Sequence, residues 1–251
     1  MEKEYSMLCG FTYEGLKHDT FTLKEMTGAE QEAIHKADMK QNGMKVLSRL
    51  LAYCVTSIGA LTPADFGGVL KWEKEVIRKL YSGDAEYMFI ELRKLSLGNE
   101  VEINHVCPNP ECKAKLKTVF DLDELQIEEF KGEEKIPFEL PSGYVDTEGN
   151  EHKVGVMRLP KVEDKEVVLP VAKKNPAQAE TLLLTRVCTF DDGYPFDASL
   201  IRALPLRDKK YLLELLGDNA FGVSTLLDLT CDTCGEDFTV ELSKVESDFF
   251  I

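Results

Sequence analysis

The chain has 251 residues, 43% of them hydrophobic, and a formal net charge of −15. That is enough apolar residue for one large domain or two of about 125, and it excludes a disordered chain. The acidic balance argues against a protein that tracks a nucleic-acid backbone, since such proteins gain affinity by releasing counterions from phosphates with Lys and Arg; it fits basic protein partners, or solubility alone. Apolar runs such as 182–184 and 87–90 are far too short to span a bilayer. The first six residues carry acids where a secretory leader has positive charge, and no apolar stretch follows them, so export is not expected. The seven cysteines are an odd number. Cys54 and Cys188 fall in apolar helical stretches, where a thiol packs as a small hydrophobe, a usage that suits a reducing cytosol.

The chain opens with a predicted hairpin, residues 8–12 returning through Gly15 to 20–23. A helix follows from near Thr27, with Glu30 placed for a capping box, and its later part carries Val46, Leu47, Leu50, Leu51 and Cys54 at helical spacing. Two shorter helices come next, one with Pro63 in its first turn and one opened by Asp84, three residues ahead of Tyr87. Gly98 suits a helix end. Val101, Ile103 and His105 then share one face of a strand that enters Cys107; residues 116–120 leave as a second strand, followed by a short acidic helix ending on Phe130. Residues 131–141, charged and holding two prolines, read as a joint.

The second half repeats this order. An offset of 134 residues pairs His18 with His152, Leu23 with Met157, Glu30 with Asp164, Leu50 with Leu184 and Cys54 with Cys188. After a slip of ten, an offset of 124 pairs Ile77 with Ile201, Asp84 with Asp208, Tyr87 with Tyr211, Leu92 with Leu216, Gly98 with Gly222, Ile103 with Leu227 and Cys107 with Cys231. One insertion accounts for the whole set, so the chain reads as two copies of one unit. The second copy has its own hairpin, 144–145 returning through 148–150 to 154–157. Pro170 and Pro176 interrupt its helical region before a helix over 177–188 resumes, and Pro205 opens the counterpart of the Asp84 helix. Leu227 and Leu229 line the strand into Cys231, residues 238–242 leave it, and a last acidic helix ends on Phe249 and Phe250. Trp72, the only tryptophan, lies near the length difference and reads as a contact surface peculiar to the first copy. His18 and His152 sit beside hairpin turns and read as surface residues.

Each copy thus ends on a pair of cysteines at a turn, Cys107-Pro-Asn-Pro-Glu-Cys112 and Cys231-Asp-Thr-Cys234-Gly. Closely spaced thiolates converge on one ion from such a knuckle, so each pair supplies half a tetrahedral site and the two together predict one structural zinc. The other readings are four free thiols or two local disulfides. Four sulfurs would leave no open position for water, and the zinc would staple the halves without doing chemistry. His105 reads as a neighbour of the site, and the four-residue spacing in the first knuckle is wider than the usual two. No phosphate-binding glycine loop, nucleophile elbow or H-E-x-x-H motif occurs, so no catalysis is expected.

The expected fold is therefore α+β and helix-rich, with two tandem repeats, each a hairpin, helices and half a zinc ribbon, related by a pseudo-twofold. Its boundaries are 1–130, a linker at 131–141, and 142–251. Residues 157–160 (Met-Arg-Leu-Pro), 208–213 (Asp-Lys-Lys-Tyr-Leu-Leu), Gly222 and the Cys231 knuckle with Phe238 behind it resemble the baseplate hub assembly proteins of T-even-like contractile-tailed phages and related injection systems. Residues 83–88 through Cys107 are similar, so the resemblance covers most of the chain. It implies a tail protein made in the host cytoplasm, which serves the baseplate hub as a chaperone or a retained virion component. Its implied partners are other baseplate or hub proteins and the tape-measure protein, with no nucleic acid and no membrane insertion. A competing reading is a zinc-ribbon module acting on nucleic acid or the transcription machinery. Asp232, Glu236 and Asp237 beside the second knuckle speak against it, with only Lys113, Lys115 and Lys117 at the first. A metal-dependent hydrolase would need an open coordination position, which four cysteines preclude.

Overall fold

The computed structural model describes residues 2–34, 42–241 and 246–247. The fold is α+β with small antiparallel sheets. Strands β1 (Glu2–Tyr13), β2 (Leu16–Lys24) and β3 (Val55–Ile58) form a sheet in that order. The hairpin turn is Glu14-Gly15, both at positive φ, the two-residue geometry whose twist matches the strands it joins. Helices α1 (Gly28–Ile34) and α2 (Gly43–Cys54) lie between β2 and β3. In α2, Leu47, Leu50, Leu51 and Cys54 fall at i, i+3, i+4 and i+7, and all are buried. Then come α3 (Val69–Glu75), a 3-10 turn (Ile77–Lys79) and α4 (Ser82–Leu97), which ends on Gly98 at φ +86°. Strands β4 (Glu100–Val106) and β5 (Lys115–Asp121) flank the first cysteine pair. The short acidic helix expected next is a single 3-10 turn, Leu122–Glu124, followed by β6 (Ile127–Glu128).

The second sheet has the same layout: β7 (Lys135–Val145), β8 (Glu151–Arg158) and β9 (Cys188–Phe190), with α5 (Val162–Ala172) and α6 (Pro176–Val187) between β8 and β9. Pro176 occupies the first turn of α6, where no partner for its amide is needed. Pro170 lies inside α5, so the predicted break comes at 173–175. After α7 (Ala198–Ala203) and α8 (Leu206–Asp218), β10 (Gly222–Val223) pairs with β6, and β11 (Leu226–Thr230) and β12 (Asp237–Glu241) flank the second cysteine pair. Strand β13 (Glu246–Ser247) pairs with β4. The helix expected to end on Phe249 and Phe250 lies outside the described residues.

Several devices recur. Strand β1 is bulged between Ser6 and Phe11, and β7 between Glu139 and Tyr144. The buried carboxylate of Asp84 accepts from the amides of Leu8 (2.8 Å), Cys9 (3.1 Å) and Gly10 (3.3 Å) in the first bulge; buried Asp208 accepts from the amide (2.9 Å) and hydroxyl (3.0 Å) of Ser142 in the second. These acids do lie in the first turns of α4 and α8, as read, and their carboxylates also reach back to pin a strand irregularity. Glu30 accepts from the Thr27 amide and pairs with Lys24, each at 2.8 Å; Asp164 accepts from the Lys161 amide at 2.8 Å and pairs with Arg158 at 2.6 Å.

Four expectations fail locally. Residues 135–140, read as part of a joint, begin β7: Ile136, Phe138 and Leu140 are buried, while Lys135, Pro137 and Glu139 face out. Pro63 precedes α3 in a turn and does not start the helix. Gly222 ends no helix; it lies in β10 at φ +127° against Gly83. Trp72 is fully buried with Phe21, Leu50, Leu51 and Met88 in the first core, so it is no contact surface. A second core gathers Phe138, Met157, Leu184 and Leu212, and a small third one gathers Ile90, Val101, Ile103, Leu122, Leu125 and Leu227.

The halves are sewn together by main chain and side chains. The Ser82 amide donates to Pro160 O (2.9 Å), and the Val162 amide donates to Leu80 O (3.0 Å). Val162 itself is part of the first core. Buried Glu166 on α5 takes Arg78 at 2.6 Å and the Ser48 hydroxyl at 2.8 Å, so its charge is paired where water cannot serve it. Among the described residues, no helix is long and apolar enough to cross a membrane.

Candidate metal centre

The two knuckles meet. The Sγ atoms of Cys107, Cys112, Cys231 and Cys234 all lie within 4.8 Å of one another, with Cys107 to Cys234 at 3.7 Å and Cys112 to Cys231 at 3.9 Å. A tetrahedron of thiolates with metal–sulfur bonds of about 2.3 Å has sulfurs about 3.8 Å apart, whereas a disulfide needs about 2.05 Å. The spacing fits an ion and does not fit a bond between sulfurs. Four sulfur donors could hold a metal ion, and they would fill a tetrahedral shell.

Local chain chemistry explains how each pair is presented. In the second knuckle the Cys231 amide donates to Glu236 O and the Gly235 amide to Cys231 O, both at 2.8 Å. In the first, the Cys107 amide donates to Ala114 O (2.9 Å), and the Cys112 and Lys113 amides donate to Asn109 O, each at 3.1 Å. The residue after the second cysteine is left-handed in both, Lys113 at φ +49° and Gly235 at φ +75°. Glycine takes that conformation freely; lysine adopts it only where the turn requires it. The wider first loop is therefore absorbed by its own turn, and Cys112 still reaches the cluster.

Backbone amides also face the sulfurs. Burial opposes the thiolate of Cys231, but the Cys234 and Thr233 amides favour it and bring its pKa down to about 7. Cys107, buried and surrounded by the other sulfurs, is pushed up despite the Asn109 amide. Four thiolates this close repel unless a cation joins them, and a bound ion would deprotonate them together. Cys107 and Cys231 are buried and Cys234 is exposed. His105, a predicted neighbour, is outside the cluster. It is buried beside Phe238 (5.5 Å between rings), and its Nδ1 has no hydrogen-bond partner among the described residues. Lys117, one of three basic residues near the first knuckle, is paired with Glu102 at 2.6 Å.

The remaining cysteines stand apart. Cys9 on β1, Cys54 at the end of α2 and Cys188 on β9 are buried, and desolvation pushes each thiol up to about 12. His152, expected at the surface, is buried instead, with Nδ1 2.6 Å from Asp192 and Nε2 3.3 Å from Asp146, and with its ring stacked on Tyr194 at 3.8 Å. The two carboxylates raise its pKa. Asp146 could have been read as an Asx turn, since its Oδ1 accepts from the amides of Glu148 and Asn150, each at 2.8 Å; Asp192, on a distant loop, gives no sequence signal.

No curated protein and no solved structure matches the chain. The family described as T4 bacteriophage base plate protein matches residues 10–250, across both sheets, both knuckles and the seam between the halves. The chain belongs to that family of phage baseplate proteins.

Proposed function

We propose that the chain is a non-enzymatic adaptor of baseplate hub assembly, acting as a chaperone or as a retained component, with its two units stapled by one structural zinc. Family membership supports a structural role among other baseplate proteins of the virion tail. The observation that carries the adaptor reading is the convergence of one knuckle from each half on a single four-sulfur cluster. Such a site would have no position for a substrate or an activated water, so its contribution would be rigidity. Sulfur-only tetrahedral sites select zinc or iron; zinc, which has no redox chemistry, suits a staple.

Two units of common design, the first ending near residue 130 and the second beginning with β7 at Lys135, follow from the sequence offsets and the sheet order. Shared sheet order, matching bulges, and the paired anchors Asp84 with Asp208 and Glu30 with Asp164 support this. A body with two similar faces can meet two neighbouring subunits of a ring or bridge unlike ones. We assign its assembly to the host cytoplasm and its partners to hub proteins and the tape-measure protein.

The test is elemental analysis of the purified chain together with co-expression alongside the other tail proteins of the same phage. About one zinc per chain, largely lost in Cys234→Ser, is expected, and a hub protein should co-purify. Iron in place of zinc overturns the zinc assignment; no bound metal, or metal unaffected by that substitution, removes the staple; a chain that takes up no tail protein removes the adaptor.

A further inference from the structure

Where the halves join, the first turns of α4, the 159–160 loop, α8 and residues 220–224 enclose a cleft of about 430 Å³. That volume admits a few side chains of a bound segment. Leu159, Leu183, Leu213 and Phe221 make its walls apolar, and its charged side chains are Glu86, Glu128 and Lys165. Glu86 stands one turn after Gly83 on α4 and is recessed among these apolar groups. Among the described residues it has no hydrogen-bond or ion-pair partner, and Lys165 acts on it only through space.

We propose that this cleft is the docking site for a segment of another tail protein that presents a lysine or arginine next to a large apolar side chain, with the cation paired to Glu86. A half-buried carboxylate that meets only solvent becomes a strong acceptor in a complex, where water is excluded and a charged donor can reach it. Partial burial in the cleft pushes the Glu86 carboxyl up. Two acids against one lysine leave the cleft net negative, and the chain's charge of −15 steers a basic segment toward it. At the rim, β6 and β10 form a two-stranded sheet among the described residues; β10 packs against α4, and the outer edge of β6 is the side at which an extended segment could pair. Aspartate or glutamate in the ligand would meet like charge.

The source of the segment rests on the adaptor reading; the chemistry of the cleft does not. Gly217 lines the cleft, and a side chain added there meets nothing within 4 Å, so p-benzoylphenylalanine fits in its place. Val119, exposed on β5 and absent from the cleft lining, serves as the second position. The full chain carrying either probe is co-expressed with the other tail proteins and irradiated. The crosslinked segment is then sequenced, synthesised and titrated against the parent chain and Glu86→Gln. The expected result is a crosslink from position 217 to a segment with Lys or Arg beside a large apolar residue. Glu86→Gln should bind it about ten- to a hundredfold more weakly, while melting no lower than the parent. Crosslinks from 119 alone, a captured segment without a basic residue, or equal affinity of Glu86→Gln would overturn the cleft and leave the adaptor standing. A parent chain that captures no tail protein overturns both.

Discussion

Replacing Gly83 with alanine tests how the halves are fitted together. An added Cβ would lie 2.3 Å from Phe221 O and 2.9 Å from Phe221 C, so main chain, not a flexible side-chain end, must give way. Relief to ordinary contact needs a shift of about 1 Å, against the seam held by the Ser82 to Pro160 and Val162 to Leu80 hydrogen bonds. Helix propensity alone would favour alanine by up to about 1 kcal/mol, and overpacking costs about 1–3 kcal/mol. The expected net loss is about 1–2 kcal/mol, or a melting temperature lower by about 2–8 °C in a chain of this length. Gly217→Ala is the matched control: also helical, also glycine to alanine, but opening into empty space. It should gain up to about 1 kcal/mol. Thermal unfolding followed by circular dichroism on both variants gives the answer. A Gly83→Ala chain as stable as Gly217→Ala would refute the close approach of α4 to residues 221–222.

Asp164 is fully buried and held by Arg158, Arg186 and the Lys161 amide, which keep its carboxyl below the usual range against the cost of burial. Its contribution is complete above the ordinary carboxylate pKa and is lost as pH falls through the lowered native value; Asp164→Asn should cost about 3–5 kcal/mol at neutral pH and flatten part of the acid transition in a series of melts. His152 has the opposite sign: Asp192 and Asp146 raise its pKa, so its stabilisation is present below the ordinary imidazole value and fades as pH climbs through the raised one. In melts from about pH 5 to about pH 9, the difference between the parent and His152→Asn should shrink with pH, and a constant difference would count against the ion pairs. Chelation of the proposed zinc should speed amide exchange in β4, β5, β11 and β12 while the two three-stranded sheets keep their protection; uniform loss across the chain would contradict a local staple.

What the sequence reveals here is whatever one residue's neighbours in the chain can specify. Two residues at positive φ make the Glu14-Gly15 turn, leucines at helical spacing place α2, and paired cysteines announce the knuckles. The stretch before Tyr144 misleads because its polar residues dominate the composition. Yet Ile136, Phe138 and Leu140 alternate with them at the strand period, and Pro137 is tolerated because β7 is an edge strand of its sheet. Asp84 and Asp208 are visible as a repeated acid but not as anchors of a bulge 74 and 66 residues away, which only the folded chain brings near. Gly222 and Glu86 are of the same kind. One is needed for an approach to Gly83, and the other is recessed by walls drawn from the opposite half.

The place of the four sulfurs in the fold gives a reason for a metal there. Strands β4 and β5 belong to one sheet and β11 and β12 to another, so no ladder of main-chain hydrogen bonds joins the two ribbons among the described residues. Besides the short pairings of β13 with β4 and of β10 with β6 at their margins, what joins them is the small cluster that holds Ile103 and Leu227, the packing of His105 on Phe238, and the sulfurs. Val106, Val119 and Leu226 remain exposed, so these ribbons bury little apolar surface of their own. A subdomain with so slight a core gains from a crosslink that holds one orientation, and an ion bound by both knuckles would supply it without the strain that a disulfide's stricter geometry would impose. The large cores around Trp72 and Phe138 have no such need. The proposed staple would therefore govern the angle between the ribbons more than the folding of the chain.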